Sequence, residues 1–485
     1  MNHKLMLRML GRTLQVEALC LLLPLFVALG YGEDPRPFLY TIPLLFVPGS
    51  LLARLRARAE FFSREGFAVV GLIWFALILC GALPFWFSGQ FGGYIDCLFE
   101  TASGFTTTGA TVLTDIESLP RGLLFWRAFS SWIGGMGVLL FTLAFLPKVG
   151  GRTQVLVRAE LPGPVASKLV PKTAQSSQIL YAIYGVLTGA EIVCLRLVGM
   201  PWYDSVVTTF ATVCTGGFSV KDASIAAYAS PAVEVVIVVF ILLCSLNFAL
   251  FFLTVTGRVH RVLQSDEAKF FLGALALAAV LVFLRIWPLY DSVGHAARDA
   301  VFQVASVMST TGFSTTDYGL WPTFAQTVLV LVMFFGGCAG STTGSIKCSR
   351  ILLLLRCAGR SLLRFAHPRS VKVVRLDGKP VDEETLNTVC VFLLCFFLVL
   401  GGTCLVVSLD GMDLTSTLAA SLACLTNVGP GLGAVGPSGS YAALSGLSKL
   451  VLSFSMVVGR LEIFPVLILL HPATWARNRG PSPCF

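Results

Sequence analysis

Four short segments of this chain combine hydroxyl or amide side chains with a glycine, roughly a hundred residues apart. They read Thr106-Thr107-Thr108-Gly109, Val213-Cys214-Thr215-Gly216, Ser309-Thr310-Thr311-Gly312 and Thr426-Asn427-Val428-Gly429. A repeat of this kind dictates architecture. If the four segments meet around one axis, their backbone carbonyls can replace the hydration shell of a monovalent cation. Glycine serves that chemistry because it lets successive carbonyls turn inward without a side-chain clash. The candidate ion-binding residues are therefore Thr107, Thr108, Gly109, Cys214, Thr215, Gly216, Thr310, Thr311, Gly312, Asn427, Val428 and Gly429.

Each segment follows a stretch too short to cross a membrane as a helix. These stretches open at Asp96, Asp204, Asp299 and Asp413, and the Asp-to-Gly distances are 13, 12, 13 and 16 residues. Each Asp is expected to cap its helix by accepting from first-turn amides. About ten helical residues rise ~15 Å, half of the hydrocarbon thickness. The chain should enter from outside, descend halfway and return as extended backbone. Such backbone is tolerated at that depth only where it lines a cavity or is buried in protein. The descending helix aims its negative end at the space below, which favours a cation there.

Composition supplies the setting. The 485 residues are 55% hydrophobic and 13% charged, against about 25% charged in soluble domains, and mean hydropathy is +0.81. About 20 apolar residues cross a bilayer as a helix. Ten crossing segments are expected, at 14–31, 37–53, 66–88, 121–146, 178–199, 231–256, 268–289, 323–356, 386–409 and 446–470. The segment 14–31 has no small-residue cleavage site and turns at Gly32-Glu33-Asp34-Pro35-Arg36-Pro37 straight into a second span, so no cleavable signal peptide is evident. The fold class is an all-α polytopic membrane protein: two N-terminal helices, then four helix–re-entrant loop–helix units around one central pore. Its divisions are 1–60, 61–150, 151–265, 266–380 and 381–485.

The net charge is +9. With the N-terminus inside, 26 of the 35 Lys and Arg residues fall on the inner side, as the positive-inside rule requires, so both termini are expected in the cytoplasm. Contact with anionic membrane lipids accounts for the basic balance without a nucleic-acid partner. The 14 cysteines form no Cys-x-x-Cys and read as small core hydrophobes. The five histidines are scattered, so no transition-metal site is expected.

The eighth span runs into Gly336-Gly337-Cys338-Ala339-Gly340-Ser341-Thr342-Thr343-Gly344-Ser345-Ile346-Lys347. Each glycine costs a helix about 1 kcal/mol relative to Ala, and Ser and Thr offer competing local hydrogen bonds. A helix broken at mid-membrane just below the four loops is expected, the alternative being close small-residue packing between helices. Arg460 lies deep in the last span, where a charge normally faces the bundle interior or a water cavity, snorkelling being the alternative. Glu462 points elsewhere on that helix. Arg127, Glu191, Arg196, Arg285 and Lys449 sit towards outer span ends and are expected to snorkel.

Across all four units the chain resembles the membrane subunit of the Trk/Ktr/HKT superfamily of potassium transporters. The resemblance rests on Thr-Thr-Thr-Gly-Ala-Thr (106–111), Cys-Thr-Gly-Gly-Phe-Ser (214–219), Ser-Thr-Thr-Gly-Phe-Ser-Thr (309–315) and Thr-Asn-Val-Gly-Pro-Gly-Leu-Gly (426–433). The two spans before residue 60 and Val457-Val458-Gly459-Arg460-Leu461-Glu462-Ile463 resemble the bacterial Trk branch. The resemblance implies K+ as the transported ion, uptake through a bacterial inner membrane and a homodimer with one pore per subunit. It also implies an obstructing loop, with Gly336, Gly337, Gly340, Ser341, Thr342, Thr343, Gly344 and Ser345 as gate residues and Arg460 as an added barrier. A cytosolic nucleotide-binding regulatory subunit is implied as partner; the chain carries no phosphate loop or dinucleotide fingerprint of its own, and no bound cofactor is expected.

Two rival classes are disfavoured. An intramembrane enzyme would need convergent titratable groups, and no His-Glu-x-x-His, Gly-x-Ser-x-Gly or clustered acid pair occurs in the spans. A proton-coupled carrier usually places carboxylates in its spans, and only Glu191, Glu234 and Glu462 qualify. Proton coupling and the K+/Na+ ratio stay open at this level.

Overall fold

The structure is a computed structural model that describes residues 3–56, 63–137, 173–257, 260, 262, 264–369 and 372–472. An N-terminal unit is built of α1 (His3–Cys20), α2 (Leu22–Tyr31) and α3 (Arg36–Ala53). Gly11 and Gly49 let α1 and α3 cross with touching backbones: a Cβ on Gly11 would lie 2.7 Å from the Gly49 carbonyl oxygen, the close approach small residues permit in membranes.

The remaining helices are taken in four groups in chain order: the first comprises α4 (Ser63–Gly81), α5 (Leu83–Ser88), the short descending helix α6 (Tyr94–Phe105) and α7 (Arg121–Gly135). The second comprises α8 (Thr173–Leu197), descending α9 (Trp202–Val213), α10 (Pro231–Ser245) and α11 (Phe248–Val255). The third comprises α12 (Asp266–Ile286), descending α13 (Val293–Met308), α14 (Thr323–Met333) and α15 (Cys348–Ala366). The fourth comprises α16 (Glu383–Val407), descending α17 (Leu414–Leu425), α18 (Gly446–Arg460) and α19 (Phe464–Leu470). The helix α15 runs on to Ala366, and further along Arg375–Leu376 pairs with Lys379–Pro380 as a small hairpin.

Six helices among the described residues are long and apolar enough to cross a membrane, or eight if each bent pair is one span. The expected span 121–146 is described only to residue 137, and residues 138–172 lie outside the described residues. The span 323–356 comes as α14 and α15 with irregular chain between them, as its glycines predict. The breaks are more general than expected, however. The pair α10–α11 bends by 92° and α18–α19 by 119°. In the first, Asn247 caps α11 by accepting from the Ala249 amide; in the second, Glu462 and Ile463 take left-handed conformations, which stop a helix of L-residues.

Only one of the four aspartates is an N-cap. Asp413 accepts from the Ser416 amide at 3.1 Å, and the Ser416 hydroxyl and amide hold its carboxyl below the ordinary range. The helices α6, α9 and α13 begin earlier, after Gly93, Pro201 and Ser292. Asp96 and Asp204 therefore sit inside the first turn, and Asp299 is buried further along its helix.

A ring of four loops and the chain beneath it

Each descending helix runs into its loop through the same three bonds. In the first loop the amides of residues 106, 107 and 108 donate to the carbonyls of 102, 104 and 103. The same pattern recurs at 214–216, 309–311 and 426–428. Thr107, Thr215, Thr310 and Asn427 all stand at φ between 56° and 59°. Left-handed backbone costs a non-glycine residue about 1–2 kcal/mol, offset in each loop by the two C-cap bonds that the left-handed residue and its successor make back to the helix end.

The next residue but one is glycine in every loop, and there the sequence register fails by one step. The structural equivalents of Gly109 (φ 79°), Gly312 (φ 83°) and Gly429 (φ 91°) include Gly217 (φ 66°), while Gly216 occupies the level of Thr108, Thr311 and Val428. The pattern Gly217-Phe218-Ser219 against Gly312-Phe313-Ser314 carries the right alignment; the double glycine hides it.

These glycines close a ring. A Cβ on Gly109 would lie 2.4 Å from the carbonyl oxygen of Gly216; on Gly217, 1.8 Å from that of Thr311; on Gly312, 2.2 Å from that of Val428; and on Gly429, 2.3 Å from that of Thr108. Each loop thus presses one carbonyl into the space where its neighbour's side chain would stand, and the fourth returns to the first. Glycine is required by the neighbouring loop as much as by its own backbone.

Above this level the exit strands are tied by a second closed set of bonds. Asp222 accepts from the Ile116 amide at 2.7 Å, and Lys221 meets Glu117 at 2.9 Å; the Glu117 carboxylate raises the Lys221 ammonium above its ordinary range. The Ile225 amide donates to the Ser314 carbonyl at 3.1 Å. Ser438 donates to Asp317 at 2.6 Å, and the Tyr441 amide returns to Thr111 at 2.9 Å.

Three charges expected to snorkel are instead buried here. Arg127, 2% exposed, pairs with Glu100 at 2.5 Å; Lys449 pairs with Asp96 at 2.7 Å; Glu191 is fully buried. Outer span ends that back onto the descending helices face protein, not lipid. Arg196 and Arg285 are exposed, as expected of snorkelling residues.

The segment between α14 and α15 packs directly beneath. The Gly344 amide donates to Thr310 at 2.8 Å, and Thr342 reaches the carbonyls of Val213 and Cys244 at 3.2 and 3.3 Å. Thr342 also lies 3.4 Å from the Thr215 hydroxyl. A Cβ on Gly344 would lie 2.7 Å from the Thr426 carbonyl oxygen, and one on Gly340 3.0 Å from Asn247. Gly336 and Gly337 contact, in the same sense, Gly344 and the Ser245 carbonyl. Ser341 and Thr343 share a hydroxyl bond of 2.8 Å, and Ser345 donates to the Met333 carbonyl at 2.7 Å. Lys347, buried, donates to Thr343.

Arg460 does not snorkel. It is the last residue of α18, not a mid-helix position, and its guanidinium donates to Thr342 at 2.6 Å, to Gly134 at 2.8 Å and to Gly135. It thereby clamps the segment to the negative C-terminal end of α7. Glu462 does have a partner, Arg350 of α15; the left-handed turn at 462 carries it there. Beside the clamp lies a cavity of about 30 Å³ lined by Gly135, Gly340, Ser341, Lys347 and Arg460, room for a water or two.

Sequence reasoning missed Gly134 and Gly459. A Cβ on Gly134 would lie 1.8 Å from the Phe105 carbonyl oxygen and one on Gly459 2.0 Å from that of Leu425, so each lets a long helix touch the foot of a descending one. Their only sequence signal is a glycine near the end of an apolar run.

A protein of apolar helices in which four short helices end in loops that meet through their backbone carbonyls is of the membrane transport class. Residues 38–475 match the family described as "TrkH: Cation transport protein", and the chain belongs to that family. It is 37% identical over 483 residues to the Trk system potassium uptake protein TrkH of Salmonella typhimurium, covering 98% of this chain and all of that one. It is 35% identical to the Trk system potassium uptake protein TrkG of Escherichia coli, over 96% and 97% of the two chains. The crystal structure of the potassium transporter TrkH from Vibrio parahaemolyticus superposes with a TM-score of 0.88 at 35% identity, over 98% of this chain and all of that one. These relatives are transport proteins, not enzymes.

Proposed function

We propose that this chain is the pore subunit of a bacterial potassium uptake system, passing K+ inward through the ring formed by residues 107–109, 214–217, 310–312 and 427–429. The closed ring, in which each of four loops fills its neighbour's missing Cβ with a carbonyl, is the observation that carries this reading. K+ is the cargo, and the chain needs no cofactor to bind it. Ten crossings, with both termini in the cytoplasm, arrange the repeats 61–150, 151–265, 266–380 and 381–485 around one pore in the inner membrane, with 1–60 as an added helix pair. An inside-negative potential supplies about 2.3 kcal/mol per charge per 100 mV, an accumulation of about fiftyfold, without ATP hydrolysis by this chain.

The segment 336–345 is the gate, held shut under the ring by its bonds to Thr310 and Thr215 and by Arg460. Its control falls to a cytosolic nucleotide-binding partner reached through the basic inner segments 147–177 and 356–384, and the working unit is a homodimer in contact with membrane lipids. Purified protein in liposomes should take up Rb+ in a K+-competed, Na+-insensitive manner. Uptake inhibited equally by Na+ and K+ would overturn the selectivity, and a direct nucleotide response of the isolated chain would overturn the partner.

A further inference from the structure

Behind the ring, the four repeats are not equivalent. Six residues before the loop, repeat 1 has Glu100, while the matching positions hold Thr208, Gln303 and Ala420. Glu100 is 1% exposed and accepts from the Thr111 hydroxyl at 3.0 Å and the Val112 amide at 3.0 Å, both in the exit strand of its own loop. Its partner Arg127, on α7, donates to Glu100 at 2.5 Å and, through a second nitrogen, to the Ser219 carbonyl at 3.0 Å. Ser219 stands in the second loop at the level that Thr111 occupies in the first. The guanidinium also lies 3.6 Å over the Phe218 ring. The pair therefore grips two neighbouring loops two residues above the ring glycines. In repeat 3, Gln303 makes a single long bond of 3.3 Å to Thr315, and Ala420 makes none.

Two buried charges cost more to desolvate than they return unless their geometry is good and their remaining hydrogen-bonding capacity is met. Here Glu100 and Arg127 meet it with loop backbone and a loop hydroxyl, so the pair has a defined target: the separation of loops 1 and 2. Where selectivity comes from the spacing of a carbonyl ring, it depends on how firmly the oxygens are held. We propose that Glu100 and Arg127 are positioning residues for ion discrimination, and that the seam between the first and second loops is the one whose rigidity sets the K+/Na+ preference. This rests on the carbonyl ring being the filter.

The experiment compares Glu100→Gln, Glu100→Asp and Arg127→Lys with Gln303→Ala and Gly109→Ala, in liposomes, by K+ and Na+ competition of Rb+ uptake. Glu100→Gln should lower the K+/Na+ preference at least tenfold while Rb+ uptake persists. Glu100→Asp, which keeps the charge, should restore most of it, and Arg127→Lys should fall between. Gln303→Ala should change the preference by less than threefold. A merely structural pair would lower the yield of folded protein, read by size-exclusion elution, and leave the preference of the surviving fraction unchanged; that result overturns the proposal. If Glu100→Gln keeps its preference while Gly109→Ala loses function, the pair fails and the filter stands; if neither variant alters transport, the filter reading fails first.

Discussion

The two faces of the carbonyl ring are built on opposite plans. At the ring, the same three loop-entry bonds recur four times and Thr107, Thr215, Thr310 and Asn427 agree in φ within a few degrees, while above it each loop is tied to the next by a bond of its own. Below it, no two repeats make the same contact. Thr310 accepts from the Gly344 amide, Thr215 meets Thr342, and Asn427 reaches across to Thr108 at 2.9 Å and to the Met456 carbonyl at 3.0 Å. The fourth member, Thr107, has a buried hydroxyl without a partner among the described residues. Under the proposed function, a cation on the axis meets the same loop shape four times, whereas the proposed gate is a single element carried by one repeat and held by Arg460 of another.

The largest test of this contrast is at the ring. Gly217→Ala places a Cβ 1.8 Å from a backbone carbonyl at positive φ, a clash and backbone penalty of about 3 kcal/mol or more together. Rb+ uptake should fall about a hundredfold or more. Gly216→Ala, which meets only the Cys214 thiol and Ser131 side chain at 2.8 Å and beyond, should cost about 1 kcal/mol or less. Equal effects at 216 and 217 would break the register. On the lower face, Arg460→Gln removes three charge-assisted bonds to carbonyls. Basal flux should rise about tenfold, the equivalent of ~1.4 kcal/mol, with K+/Na+ preference intact; a loss of preference would mean that the two faces are not separable. Thr342→Val, which removes one hydroxyl, should raise flux about fivefold, from ~1 kcal/mol.

The smallest effect is expected at Asp413, the one N-cap among the four aspartates. Asp413→Ala should lower the melting temperature slightly at neutral pH and leave selectivity unchanged. Because the folded carboxyl is held below its ordinary value, its contribution is full above the ordinary range and is lost as pH falls through the lowered one. The parent and the variant should therefore converge in acid, read by thermal melts at a series of pH values; a gap that widens in acid would refute the cap.

Most of the upper face is legible in the sequence because it repeats: the four descending helices, the glycine-bearing loops and the broken span at 336–345 all follow from spacing and composition. The misreadings share a cause. Gly216 was aligned for Gly217 because adjacent glycines are equivalent in sequence, and only the carbonyl of Thr311 tells them apart. Arg127 and Lys449 read as snorkelling because span position reports depth, not which side of a helix meets protein. The bends after Ser245 and Arg460 carry no Gly-rich signal; they arise where Asn247 caps a new helix and where the chain at 462–463 turns to bring Glu462 to Arg350. By itself, the sequence determined the membrane class, the four short helices with their glycine-bearing loops and the place of the interruption, since hydropathy, glycine and periodicity act locally. The closure of the ring, the pairing of Glu100 with Arg127 and the bonds of Arg460 to Thr342, Gly134 and Gly135 were decided only by tertiary structure, because each joins groups whose energies depend on a neighbour far away in the chain.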